Sequence, residues 1–278
     1  MNVLLNTRTR KSPAQLDIES TENMTIRAFG ASGGENWKLD RSEPNWAQPI
    51  VDLLSPTTKR LFLPVPYKMN GLIAPQNHFK GEGSLNGTKV FGGIHADGVR
   101  IGPGEGFGLM SGDCPTVIIY DGSGKYVFAA HCGLKDLVQF DSNRIGTFAL
   151  QSYSVIQNII TKAHHRRVSR SHLHAAIVCG IRTGLQYRID DEKYGEKNLA
   201  LQNWCKVRYP YRPIIVHEEI NMVEFVKAEL EKLGIPPDSI STDQVDTFSD
   251  KDKSGEPLWA SHSRDGSNKR NLVLVEHH

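Results

Sequence analysis

The chain has 278 residues, 38% of them hydrophobic and 23% charged, enough to bury a substantial core as one large domain or two modest ones, which excludes disorder along most of its length. Its 33 basic and 31 acidic side chains leave a formal charge of +2, so no global field draws it to nucleic acid or to an anionic membrane, and any anionic substrate must be held by local groups. The apolar run at 1–5 is too short for a signal peptide, and nowhere do about 18 apolar residues follow one another, so a soluble cytoplasmic protein is expected.

Residues 1–60 are polar and weakly periodic, and read as an N-terminal segment packed on a catalytic domain spanning 61–278. Within them Gly30-Ala31-Ser32-Gly33-Gly34 has the composition of a loop, because no strand-to-helix pattern surrounds it. A strand is expected in 59–66. Residues 71–74 lead into Pro75-Gln76-Asn77-His78, and the glycine-rich passage 81–108 leaves room for short strands at 89–91 and 99–101.

The next stretch is the most informative. Gly112-Asp113-Cys114-Pro115 precedes a β-rich run at 116–120, the loop Asp121-Gly122-Ser123-Gly124-Lys125 follows, and a second run at 126–130 ends on His131. In a hairpin the residue entering the first strand and the residue leaving the second share one end, so Cys114 and His131 are expected to be neighbours. Pairing symmetric about Ser123 would set Cys114 opposite Cys132 and His131 opposite Pro115; a loop shorter by one residue would set Cys114 across from His131. A thiolate beside an imidazole suits a transition-metal site or a base-activated nucleophile, and a buried Cys next to a hydrogen-bonded His is the structural alternative.

Beyond Gly133 a helix is expected over 148–162, ending in the cation-rich His164-His165-Arg166-Arg167, then a strand over 173–179. The charged span 190–197 reads as a loop or an exposed helix. Residues 218–233 give the clearest helical pattern, with Met222, Phe225, Val226, Leu230 and Leu233 on one face and Gly234 just past the end. A polar loop at 250–256 and a closing strand at 271–275 complete the chain. The four cysteines are too irregularly spaced for a disulfide framework, although the symmetric hairpin register would allow Cys114 and Cys132 to pair under oxidising conditions. Of the eleven histidines, His164, His165, His172 and His174 read as exposed and His277 and His278 as a disordered end, while His95 and His78 are further candidates on composition.

From about residue 72 to 275 the chain resembles the YfiH-like proteins, also called laccase-domain or polyphenol-oxidase proteins. The resemblance rests on ordered landmarks: Gln76-Asn77-His78, Ala96-Asp97, Gly112-Asp113-Cys114-Pro115, Ala129-Ala130-His131-Cys132-Gly133-Leu134-Lys135, and Ser261-His262-Ser263-Arg264-Asp265-Gly266 with Arg270. It departs from the family at Leu134-Lys135, where Trp-Arg is usual, at Cys179-Gly180-Ile181-Arg182, and at Ser263, where the family has Arg; at Lys135 a planar bidentate donor becomes a point charge.

The resemblance implies an α+β fold, a single domain of mixed sheets flanked by helices. It also implies a His78–Cys114–His131 zinc triad, and a small-molecule substrate, a purine nucleoside undergoing phosphorolysis or adenosine deamination, with phosphate as co-substrate. Three such ligands would leave one zinc position open for a reactive water. Amide hydrolysis on peptidoglycan precursors is a further implication. Asp113 is a candidate general acid or base, or an orienting group, and Lys135, Arg264 and Arg270 are candidates for holding phosphate or ribose.

Three alternatives stand beside the zinc enzyme. In a metal-free hydrolase Cys114 would be the nucleophile and His131 the base, as in the cytotoxic necrotising factor toxins whose fold the family resembles. Copper-dependent phenol oxidation, the family's other label, asks for more clustered His ligands than this sequence offers. A binding protein that keeps the fold without turnover is the last.

Overall fold

A computed structural model of the chain describes residues 15–20, 22–31, 36–43, 45–66, 71–141, 149–151, 154–266 and 268–278. Two large sheets form its centre. The first has seven strands in the order β1-β2-β17-β8-β3-β6-β5: β1 (Gln15–Ser20), β2 (Met24–Phe29), β17 (Asn271–His277), β8 (Glu105–Ser111), β3 (Arg60–Phe62), β6 (Thr88–Gly92) and β5 (Lys80–Leu85). The second has six in the order β16-β13-β9-β10-β7-β4: β16 (Ile240–Thr242), β13 (Leu173–Val178), β9 (Thr116–Asp121), β10 (Val127–His131), β7 (Gly98–Ile101) and β4 (Ile73–Ala74). Both mix parallel and antiparallel pairs, since β3 runs parallel to β6 and β8 while β4 runs parallel to β7. Two small ribbons pair β11 (Gln139–Asp141) with β12 (Ala149–Gln151) and β14 (Ile215–Val216) with β15 (Glu219–Ile220).

The continuous apolar runs of the central strands follow from burial on both faces. On β9, Ile118 faces the first sheet and packs with Phe62, Phe107 and Leu109, whereas Val117 and Ile119 face α3 (Val155–His165) and α5 (Met222–Lys232). The same alternation on β13 sends Ala176 and Val178 to the sheet interface and Ala175 and Ile177 to the helices. A third cluster covers the far face of the first sheet, where Ile50 and Val51 of α1 (Gln48–Val51) and Trp37 pack on Leu61, Leu63, Leu272 and Leu274. The expected single α+β domain of mixed sheets flanked by helices is thus what the chain forms.

Several local expectations are corrected. The N-terminal segment supplies β1 and β2, and β2 pairs with β17 along six residues, so it is part of the sheet. Three of the five residues of the loop expected at 30–34 lie outside the described residues, and so do several of 148–153, where the early helix start was placed. The helix begins instead at Val155, capped by the Ser154 hydroxyl, which accepts from the Gln157 N–H at 3.1 Å. The clearest helix starts at Met222 because the Asn221 side chain accepts from the Glu224 N–H; Glu218 sits at φ +65 in the turn before β15. The charged span at 190–197 is a loop running into a helix, as expected, but that helix, α4 (Gly195–Arg208), continues well past it, and its weak amphipathicity hid the rest. His277 is buried in β17 beside Met24 of β2 and Glu105 of β8, far from being a frayed end.

Among the described residues no helix is long and apolar enough to cross a membrane.

Candidate functional site

The β9–β10 hairpin sets the geometry. Val127 pairs with Tyr120 and His131 with Thr116, and the Cys132 N–H donates to the Pro115 carbonyl at 2.8 Å. This register lies one step beyond the symmetric one and two beyond the other, with a four-residue loop at 122–125. Asp121 causes it: its carboxylate accepts from the Tyr126 N–H at 2.7 Å and from the Ser123 hydroxyl, while Gly124 at φ +68 turns the chain. Cys114 therefore falls opposite Gly133 and on the same pleat as His131, a diagonal cross-strand neighbour. Cys132 is on the other pleat, buried with Phe128 and Leu137, away from the pairing with Cys114 that the symmetric register would have allowed; all four cysteines are free.

Gly133 shows how tightly the groups converge. A Cβ built there would lie 2.8 Å from His131 Cε1, 3.0 Å from Asp136 Oδ2 and 3.3 Å from Cys114 Sγ. Asp136 comes from α2 (Leu134–Leu137), the short helix that begins after Gly133, and its Oδ2 accepts from the Gly133 N–H at 2.9 Å and from His131 Nδ1 at 2.7 Å. A carboxylate can only accept, so Nδ1 carries the proton and Nε2 is the nitrogen left for the Cys114 thiol, which hydrogen-bonds the imidazole. Burial alone would lower the His131 pKa, but the Cys114 and Asp136 charges outweigh it and raise it well above the usual imidazole value. The buried cysteines differ: burial pushes the thiols of Cys132 and Cys179 well up and that of Cys205 to about 12.

Asp97 stands behind His131. Its Oδ2 accepts from the Gly71 and Leu72 N–H groups at 2.9 and 3.0 Å, its carbonyl accepts from the His131 N–H, and burial followed by the Asp136 charge raises its pKa. Two lobes of one cleft, about 610 and 360 Å3, meet at Cys114 and His131 and share Pro66, Leu134, Leu185 and Tyr187. Burial first, and then the Cys114 charge, push the Tyr187 hydroxyl up to about 12, so it stays protonated and able to donate into the cleft.

His78 is not brought to this centre. Strand β4 runs parallel to β7 from Gly98 onward, and Gln76, just beyond it, donates to the Arg100 carbonyl; the short helical turn Gln76–His78 thus leaves from the Arg100 end of β7, whereas His131 lies at the Gly98 end. About 10 Å of strand separates the two ends. His78 is exposed and lines neither lobe, and the segment that does arrive beside Cys114, after β3, presents Pro66.

Asp113 is also reassigned. Its Oδ1 accepts from the Thr247 hydroxyl at 3.0 Å and its Oδ2 from the Ser263 N–H and hydroxyl at 2.8 and 2.9 Å, so it braces the start of α6 (His262–Asp265). Arg264 is spent inward on the carbonyls of Thr247, Phe248 and Trp259. Lys135 and Arg270 do line the cleft, Lys135 in the larger lobe and Arg270 in the smaller. Sequence reasoning missed Asp136 and Tyr187. Asp136 had a readable signal, an acidic residue three places after a glycine that opens a helix; Tyr187 had none.

Asp97, His131 and Asp136 each offer one ligand atom within 4.8 Å of the others, a group able to hold a metal ion. A multi-copper cluster needs several imidazoles, and this centre has one.

The family model described as multi-copper polyphenol oxidoreductase laccase matches residues 86–271. Among solved structures the chain is similar to the hypothetical protein YfiH of Bacillus licheniformis, at 18% identity and a TM-score of 0.63 over 96% of this chain and 97% of that one. It is similar to YlmD of Geobacillus stearothermophilus, at 15% identity and a TM-score of 0.61 over 100% of both chains, and to a Neisseria meningitidis protein, at 14% and 0.61 over 95% and 98%. No curated protein matches the chain.

Proposed function

The chain belongs to the multi-copper polyphenol oxidoreductase laccase family, and within it we propose that this protein is a thiol-dependent hydrolase that cleaves amide bonds through Cys114, His131 and Asp136. One observation carries this reading: His131 donates from Nδ1 to the buried Asp136 carboxylate and hydrogen-bonds the Cys114 thiol, the nucleophile, base and orienting group of covalent acyl transfer. The Cys114 thiol gives its proton to His131 Nε2, and the sulfur attacks the carbonyl carbon, forming a C–S bond as the carbonyl π electrons move onto oxygen. As the C–N bond breaks, the His131 imidazolium gives its proton to the leaving nitrogen. Water then attacks the thioester, His131 takes a proton from it, and the carboxylate departs as the thiol is restored. Tyr187 can donate to substrate in the cleft, and Lys135, beside Arg188 and Lys197 in the larger lobe, and Arg270 in the smaller supply cations for an anionic substrate group.

The test uses a panel of primary amides and acyl peptides, read as release of ammonia or of new carboxylate. Turnover that vanishes in Cys114→Ala and survives a chelator is expected. Turnover that a chelator abolishes and a divalent ion restores would overturn the reading.

A second reading is favoured by the carboxylates. Asp97, Asp136 and His131 could hold one divalent ion, which would acidify a bound water for the purine nucleoside chemistry that the family resemblance implies. Zinc at such a site has lost the ligand expected from His78. Phosphate-dependent adenosine or inosine turnover, together with one bound zinc per chain, would select this reading over the first.

A further inference from the structure

A cluster of basic side chains lies away from the cleft. A cavity of about 670 Å3 opens at the Arg100 end of β7, lined by Arg60, Arg100, Lys162, His165 and Arg166 over an apolar wall that includes Ile73 and Phe128. It shares no lining residue with either lobe at Cys114. Among the described residues no acidic side chain lines it, in a chain whose overall charge is only +2.

The simplest account of such a cluster is a helix end, since Lys162 and His165 occupy the last turn of α3 and Arg166 is its C-cap, where cations complement the helix dipole. That account leaves out Arg60 and Arg100. They come from different sheets, on β3 and β7, and converge on the same space. Arg60 is fixed in place: its guanidinium lies 5.1 and 5.0 Å from the Phe62 and Phe91 ring centres and pairs with Glu105. Glu105 is further satisfied by Gln76 and by the Gly102 N–H, so its charge is matched within its pair with Arg60 and is not shared with Arg100, Lys162 and Arg166. Arg100, Lys162 and Arg166 have no ion pair among the described residues.

We propose that this cavity is a second binding site, one that takes a small polyanion built from linked phosphates. Its size is that of a small-molecule site, and guanidinium and ammonium groups facing each other across it match several phosphate oxygens at once. A ring or alkyl portion of the ligand would rest on Phe128 and Ile73. The site is independent of the amide chemistry proposed for Cys114.

Titration calorimetry of the full chain with inorganic tripolyphosphate and, separately, with ATP and adenosine tests this. One tripolyphosphate per chain is expected, with ATP binding at least as well and adenosine not at all. The exposed pair Lys162→Glu and Arg166→Glu should weaken binding about tenfold or more, whereas the same charge change at Lys206 and Lys253, elsewhere on the surface, should leave it within about twofold. Should the first pair fail to fold, Lys162→Gln with Arg166→Gln must give a smaller loss in the same direction. Absent or multiple weak binding, adenosine binding as well as ATP, or equal losses in both pairs would overturn the proposal. So would binding of single-stranded RNA in the absence of tripolyphosphate binding.

Discussion

Replacing Asp136 by Asn separates an orienting group from a mere helix cap. Asp136 is nearly buried, with 6% of its side chain exposed, and one oxygen serves both His131 Nδ1 at 2.7 Å and the Gly133 N–H at 2.9 Å. An Asn oxygen can keep both contacts without charge, which forfeits about 1.5–3 kcal/mol of charge-assisted bonding to the imidazolium. If the amide turns its nitrogen to His131 instead, the ring must accept there and present its N–H to the thiol, leaving no base for the reaction. The first effect alone predicts alkylation of Cys114 by iodoacetamide slowed about 10- to 100-fold. With the wrong tautomer, turnover should fall by about 10²- to 10⁴-fold, or about 2.7–5.5 kcal/mol in the barrier. Intact-mass kinetics measure the first and amide turnover the second, with circular dichroism to show the fold is kept. An alkylation rate within about twofold of the parent in a folded variant would refute the role given to Asp136.

Gly133→Ala should act by displacement, since its methyl would lie 2.8 Å from His131 Cε1; a folded protein with turnover lowered about 100-fold is expected, and unchanged turnover would mean that the imidazole yields freely. Because the folded pKa of His131 lies above 6.5, the stability it contributes is full below that pH and is lost as pH rises through the higher folded value; denaturant titrations should show the advantage of the parent over His131→Gln shrinking in that direction. Arg264→Ala should cost about 2–4 kcal/mol of stability by stranding three carbonyls, and should leave KM of the residual folded enzyme unchanged, as a substrate-binding residue would not.

What could be read from the sequence was what is local. The hairpin that joins Cys114 to His131 announced itself through β-branched runs around a glycine-containing loop, and its two ends do meet. Its register was hidden because it depends on how the Asp121 side chain folds over the Tyr126 N–H, a contact that composition does not specify. His78 was misplaced for a related reason: a short landmark shows that a motif is present but not which end of a strand it leaves from, and that is fixed by the parallel pairing of β4 with β7. Asp113 and Asp136 exchanged parts because adjacency to Cys114 in the chain says nothing of where a carboxylate points. Tyr187 reaches the cleft from a segment with no periodic pattern, held by the Gln202 side chain and the Glu218 carbonyl, so only the fold reveals it.

The central claim concerns one sulfur. Intact-mass and peptide mapping of the native chain treated with limiting iodoacetamide, with and without a chelator, tests it most directly. The account predicts a single adduct on Cys114, formed at the same rate in both conditions and strongly slowed in His131→Gln. A thiol that resists modification until a chelator strips one metal ion from each chain would contradict it.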